Sequence, residues 1–145
     1  MKVFLDTNVL IAASICQHPH FTRADAVLQR CVRKEDEGII HAHSVLEYHS
    51  AITQLPGGLA VPSAQVTTLL HEGLLCYLRC VTLNAGEVQS VQKRAAERGL
   101  VGGIIYDLYH LVAAEKSAVD RLYTFNTAHF RALAEPSFKS AIVTP

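Results

Sequence analysis

The chain has 145 residues, half of them hydrophobic and 18% charged, with 13 basic and 13 acidic side chains giving a formal net charge of zero. This composition excludes a disordered chain, and its neutrality excludes a protein that holds nucleic acid by bulk positive charge. One domain of this length, 1–145, buries a core without staples, and Cys16, Cys31, Cys76 and Cys80 show no framework spacing, so they read as buried free thiols of a reducing cytoplasm.

The chain opens on "KVFLD" (2–6), a short buried strand that ends on a carboxylate; its lysine and acid do not make a signal peptide. "FTRADAVLQRCVRKEDE" (21–37) puts Phe21, Ala24, Val27, Leu28, Cys31 and Val32 on one helical face, with Gly38 as its stop. "GIIHA" (38–42) is a second strand, followed by a helix over 45–55. The turn-rich "LPGGLAVPS" (55–63) leads to a helix over 64–77, and "RCVTL" (79–83) is a third strand. Asn84 with Glu87 three residues on predicts a capped helix that Gly99 ends. A helix over 103–117, a strand "RLYTFN" (121–126) and a last strand "AIVT" (141–144) complete the pass. No apolar run approaches the roughly 20 residues that cross a bilayer. Cys76/Cys80 with the pairs His18/His20 and His41/His43 supply no four-ligand zinc segment.

Strands alternating with helices predict a mostly parallel sheet of about five strands between helical layers, a three-layer α/β/α sandwich. In such sheets the binding crevice lies outside the carboxyl ends of the strands. Asp6 ends strand one there. Glu47 follows strand two, although Ser44-Val45-Leu46-Glu47 also fits a capping box in which Glu47 only bonds back to the Ser44 amide. Asp107 falls in the first turns of an otherwise apolar helix, where a buried carboxylate needs a cation or donors. Asn126 stands at the carboxyl end of "RLYTFN", where ordinary turn chemistry is the competing account. Asp120 begins that strand, roughly 20 Å away at the wrong edge, and is set aside.

Three acids and an amide placed to reach one sheet edge repel one another unless a cation sits among them. Their hard oxygen donors suit Mg²⁺ or Mn²⁺ rather than zinc. Such an ion would also bring a polyanion to an acidic pocket in a neutral protein.

The segments "KVFLDTNVLIAA", "HSVLEYHSAI", "GGIIYDLYHLVAA" and "LYTFNTAHF" together resemble the successive motifs of the PIN-domain nucleases, in the VapC-like toxin subgroup. The resemblance implies a Mg²⁺- or Mn²⁺-dependent endoribonuclease, a homodimer, and neutralisation by a cognate antitoxin protein. It implies that Asp6, Glu47 and Asp107 bind the metal, that Thr7 and Asn8 orient the first acid, and that Thr124 is the hydroxyl residue before the fourth position. Asn126 departs from the four-acid version; it can ligate through its carbonyl or hold Asp6, and one tight ion is expected. His129 is a candidate for touching a phosphate or the leaving oxygen, and His110, i+3 from Asp107, for packing or hydrogen bonding. Tyr106 and Tyr109 read as core or dimer surface and not as base-stacking platforms, Lys93, Arg94 and Arg98 as a solvated helix face, and the 63–77 helix as a dimer-surface candidate. The rival reading is a non-catalytic PIN-fold module that binds RNA or protein through a vestigial acidic site. A phosphohydrolase using Asp6 as nucleophile would want an acid two residues on, where this chain has Asn8.

Overall fold

The computed structural model describes residues 1–145. Five strands, β1 (Lys2–Leu5), β2 (Glu37–His41), β3 (Leu78–Val81), β4 (Arg121–Tyr123) and β5 (Ile142–Val143), form one sheet in the order β3-β2-β1-β4-β5. Every neighbouring pair is parallel. Seven α-helices accompany them: α1 (Thr7–Ser14), α2 (Phe21–Val32), α3 (Ala42–Ile52), α4 (Ser63–Thr68), α5 (Ala85–Glu97), α6 (Ile104–Lys116) and α7 (Thr127–Leu133).

Period-two alternation sorts the strand residues between two cores. Val3 and Leu5 of β1 and Ile40 of β2 face one way, into a core completed by side chains of α1 to α4 such as Leu10, Leu28, Tyr48 and Val66. Phe4, Ile39, Leu122 and Ile142 face the other, against α5, α6 and α7 through Val91, Leu108, Leu111 and Phe130. Each of these large side chains contributes about 1.5–3 kcal/mol by leaving water. The predicted sandwich is therefore present, with a wholly parallel sheet.

The chain runs outward from β1 to β2 and β3, then returns to the other side of β1 for β4 and β5. That reversal makes a crevice at the carboxyl ends of β1 and β4. The register continues into it: the Asp6 amide donates to the Tyr123 carbonyl at 3.0 Å, just past the last paired residues.

Several local expectations are corrected. The second helix ends at Val32 rather than running to 37, and Gly38 lies inside β2. A Cβ on Gly38 would collide with the Leu78 side chain and come within 2.8 Å of Cys31 Sγ, so close packing and not helix termination requires glycine here. Helix α3 begins at Ala42, three residues early, which places Ser44 inside the helix and removes the Ser44–Glu47 capping box. The 64–77 helix is α4 followed by a wider π-helical stretch, Leu69–Leu75. Strand β4 stops at Tyr123, so Asn126 is not in it but is the residue before α7. Helices α1 and α7 are both unforeseen; one residue separates α1 from β1, and three separate α7 from β4. Only Cys31 is a buried thiol; Cys16, Cys76 and Cys80 are exposed. Arg94 and Arg98 do not simply face solvent, because their guanidiniums donate to the Leu133 carbonyl at 3.0 and 2.6 Å and tie α5 to the end of α7. The Asn84–Glu87 capping box is present, and Gly99 follows α5 at φ +62°. No helix is long and apolar enough to cross a membrane.

Candidate active site at the carboxyl edge of the sheet

Two strand-to-helix transitions, β1 to α1 and β2 to α3, and the first turn of α6 deliver the acidic side chains. Asp6 leaves β1 as the N-cap of α1, and its Oδ1 accepts the Thr7 amide at 2.8 Å. Its Oδ2 accepts the Thr124 hydroxyl at 2.7 Å from the far side of the crevice. Asp6 is 5% exposed and has no cation against it. Burial raises its pKa to about 6; the nearby His110, the Thr124 hydroxyl and the Thr7 amide pull down, and the Asp107 charge adds to the rise.

Glu47 comes from the second turn of α3. Instead of capping its own helix, its Oε2 accepts the Thr7 hydroxyl at 2.6 Å and meets His110 Nε2 at 2.7 Å. His43 Nε2 lies 3.5 Å from its Oε1. Burial pushes the Glu47 carboxyl up, but these donors outweigh it, and the group sits below the ordinary carboxylate range. Asp107, in the first turn of α6, has its Oδ2 3.1 Å from His129 Nδ1. Half-burial raises its pKa, His129 opposes, and the Glu47 charge adds to the rise.

Thr124, fully buried, is the organiser of the crevice. While donating to Asp6, its Oγ1 accepts the Asn126 amide at 2.9 Å and Asn8 Nδ2 at 3.3 Å. Asn8 Oδ1 in turn accepts the Phe125 amide at 3.2 Å, so α1 and the β4–α7 turn are bound across the crevice. Asn126 does not cap α7 with its side chain. Asp6, Thr7, Asn8, Glu47, Asp107, His110 and Asn126, with Ile11 and Ala51, line one open cleft of about 220 Å³.

The convergence expected of Asp6, Glu47, Asp107 and Asn126 on one sheet edge is thus present, with Thr7, Asn8 and Thr124 supporting them. His110 takes the hydrogen-bonding role, and His129 touches Asp107. Two histidines went unassigned to the site: His43, whose i,i+4 spacing to Glu47 was visible, and His41, fully buried with both ring nitrogens unpartnered. His41 packs 5.2 Å from His110, ring centroid to centroid, a contact between distant segments that no spacing rule reveals.

The donors suit a hard divalent ion in chemistry: carboxylate oxygens and one amide carbonyl, with mutual repulsion that a cation would relieve. They line the cleft without closing on a point, for no three His, Cys, Asp or Glu side chains are gathered in a metal-holding geometry.

The family model for the PIN domain matches residues 3–136. The chain belongs to the PIN-domain family. PIN domains are a nuclease family whose nucleases generally use divalent metal ions. Solved structures of other PIN domains share the fold across nearly the whole chain. VapC20 of Mycobacterium tuberculosis, a sarcin-ricin loop cleaving toxin, superimposes with a TM-score of 0.68 at 14% identity, covering 92% of this chain and 99% of that one. VapBC2 from Rickettsia felis, bound to a DNA fragment from its promoter, gives 0.67 at 18% identity over 100% and 99%. FitAcB from Neisseria gonorrhoeae gives 0.65 at 19% identity over 99% and 96%. These structures share the PIN fold seen here. No curated protein sequence matches the chain.

Proposed function

We propose that this PIN domain is a Mg²⁺- or Mn²⁺-dependent endoribonuclease, the toxin of a type II toxin–antitoxin pair. The observation that carries the reading is the single cleft in which Asp6, Glu47, Asp107 and the Asn126 amide meet at the carboxyl edge of the sheet. Asp6, Glu47 and Asp107 would hold the metal, with Asn126 contributing a carbonyl oxygen. When bound, a divalent ion supplies a Lewis acid for a phosphate oxygen and makes an attacking water more acidic.

The chain's own residues do the rest. Thr124 and the Thr7 amide fix both oxygens of Asp6, so that carboxylate is oriented before substrate arrives. Thr7 and His110 hold one Glu47 oxygen in the same way, leaving the other toward His43. Asp107, half-buried at the cleft with one oxygen against His129, would orient the attacking water and take its proton. Cleavage then leaves a 5′-phosphate and a 3′-hydroxyl.

We also propose a homodimer that a small antitoxin protein neutralises; the VapB-bound and FitA-bound relatives support this partner class. A second reading, a non-catalytic PIN module, is favoured by one observation: the acids do not close on a metal-holding point. Titrating Mg²⁺ and Mn²⁺ into the purified chain with total RNA, then sequencing the ends, separates the two. Metal-dependent ends that disappear in Asp6→Asn support the nuclease; no metal-dependent ends, or equal cutting by Asp107→Asn in metal-stripped buffer, overturns it.

A further inference from the structure

Helices α3 and α6 each bring an aromatic ring beside an acid. On α3, His43 precedes Glu47 by one turn; on α6, Tyr106 precedes Asp107 by one residue. The two rings meet across the helices, with planes 6° apart and centroids 5.1 Å apart, an offset stack. Tyr106 is 52% exposed and takes no part in the core that Ile104, Ile105 and Tyr109 of the same helix pack against. The stack borders a groove of about 530 Å³ whose wall includes Ser50, Gln54 and Glu47. Glu47 and Ala51 also line the acidic cleft, so groove and cleft adjoin.

We propose that the Tyr106–His43 stack is a nucleobase-binding subsite that seats one unpaired base of the RNA beside the phosphate to be cut. The proposal rests on the nuclease reading and names its substrate class: single-stranded RNA. An exposed ring already flattened against a second ring offers a rigid π-surface, and every base has a π-face to place on it. Gln54 Nε2 donates to the Ser50 carbonyl at 3.2 Å, which leaves its amide oxygen as an acceptor at the groove wall. A duplex cannot present a base face here, whereas a loop or single strand can.

Charge gives the independent argument. A protein of zero net charge with an acidic cleft gains little by neutralising phosphates. Affinity for the strand on either side of the metal must then come from contacts that salt does not screen, and stacking is the available one. Of the expected alternatives for Tyr106, core or dimer surface, its exposure removes the core, and the subsite proposed here reverses the reading that it is no base-stacking platform.

The test uses the full chain carrying Asp6→Asn, so that RNA is bound without being cut, and a single-stranded 12-mer oligoribonucleotide with 2-aminopurine at successive positions. At one position the fluorophore is quenched on binding. Tyr106→Ala loses that quenching and weakens binding on the order of tenfold, while Tyr106→Trp and Tyr106→Phe retain both. The loss is the same at low and high salt, and the matching duplex competes poorly. With Asp6 restored, Tyr106→Ala raises KM and leaves kcat close to that of the parent. Binding and quenching unchanged in Tyr106→Ala, while the parent still cuts RNA, overturns the subsite and leaves the nuclease standing. So does a change in sedimenting size of Tyr106→Ala in the absence of RNA, which would give this face to a second copy of the chain. Tyr106-dependent binding with no cutting by any metal-loaded chain keeps the subsite and removes the nuclease; a parent that neither binds nor cuts removes both.

Discussion

Two buried aspartates at opposite ends of the same sheet live under opposite rules. At the amino edge, Asp36 accepts Arg30 Nε at 2.6 Å and Nη2 at 3.2 Å, with the Met1 amino group at 2.9 Å. The Arg30 hydrogen bonds hold its carboxyl below the ordinary range against the opposing effect of burial. At the carboxyl edge, Asp6 has only a hydroxyl and an amide, feels a second carboxylate, and rises to about 6. A carboxylate that serves stability is given a cation by the fold, whereas Asp6 is buried with its charge uncompensated by any side chain in contact. The difference between the edges sets apart the carboxyl edge, where the proposed function is located.

The comparison breaks most visibly at Asp6. Asp6→Asn removes the proposed metal ligand and should lower RNA cleavage by at least about 100-fold, read from initial rates at saturating Mn²⁺. The same substitution should stabilise the metal-free protein. A rise from 3.8 to about 6 corresponds to roughly 3 kcal/mol that the ionised side chain costs the fold. The sign follows from linkage: because the folded pKa is raised, the folded state keeps its proton longer, and stability falls as pH climbs from about 4 through about 6. Urea melts in EDTA should therefore show Asp6→Asn ahead of the parent above pH 6 and level with it near pH 4; equal curves throughout would contradict the assigned burial cost. Saturating Mg²⁺ should close most of that gap by stabilising the parent, by about 2.7 kcal/mol at a hundredfold excess over Kd, and not the variant. Thermal shift with and without metal reads this directly.

Smaller changes sharpen the contrast. Thr124→Val keeps the shape but removes the hydroxyl that fixes Asp6 and receives Asn8 and Asn126, and should cost on the order of tenfold in cleavage, while Thr124→Ser stays near the parent. At the other edge Asp36→Asn should lower Tm by a few degrees and leave cleavage within about twofold, since half-exposed Arg30 screens the loss. Its stability contribution has the opposite pH sense: the depressed carboxyl helps the fold above the ordinary carboxylate range and ceases to as pH falls.

The sheet, its layers and the meeting of the acids were readable in the sequence because hydrophobic period and strand-end position are local signals. The exclusion of Asp120 holds for the same reason: it accepts the Lys2 amide at 2.7 Å, at the amino edge. What local signals missed was decided by partners. Glu47 looked like a cap until α3 started at Ala42 and Thr7 and His110 claimed its oxygen. Helix α1 was hidden because Asp6 closes a strand and opens a helix with no loop between them. Arg94 and Arg98 read as solvated because their acceptor is a backbone carbonyl 35 and more residues away.

One bond has a consequence in time. The hydroxyl that fixes Asp6 belongs to a residue 118 positions later, the one just after a strand that pairs with the first. During synthesis the opening acid emerges early and waits for its last support until the chain is nearly finished. Under the proposed function, a fragment ending before residue 120 should carry the acids yet cut nothing.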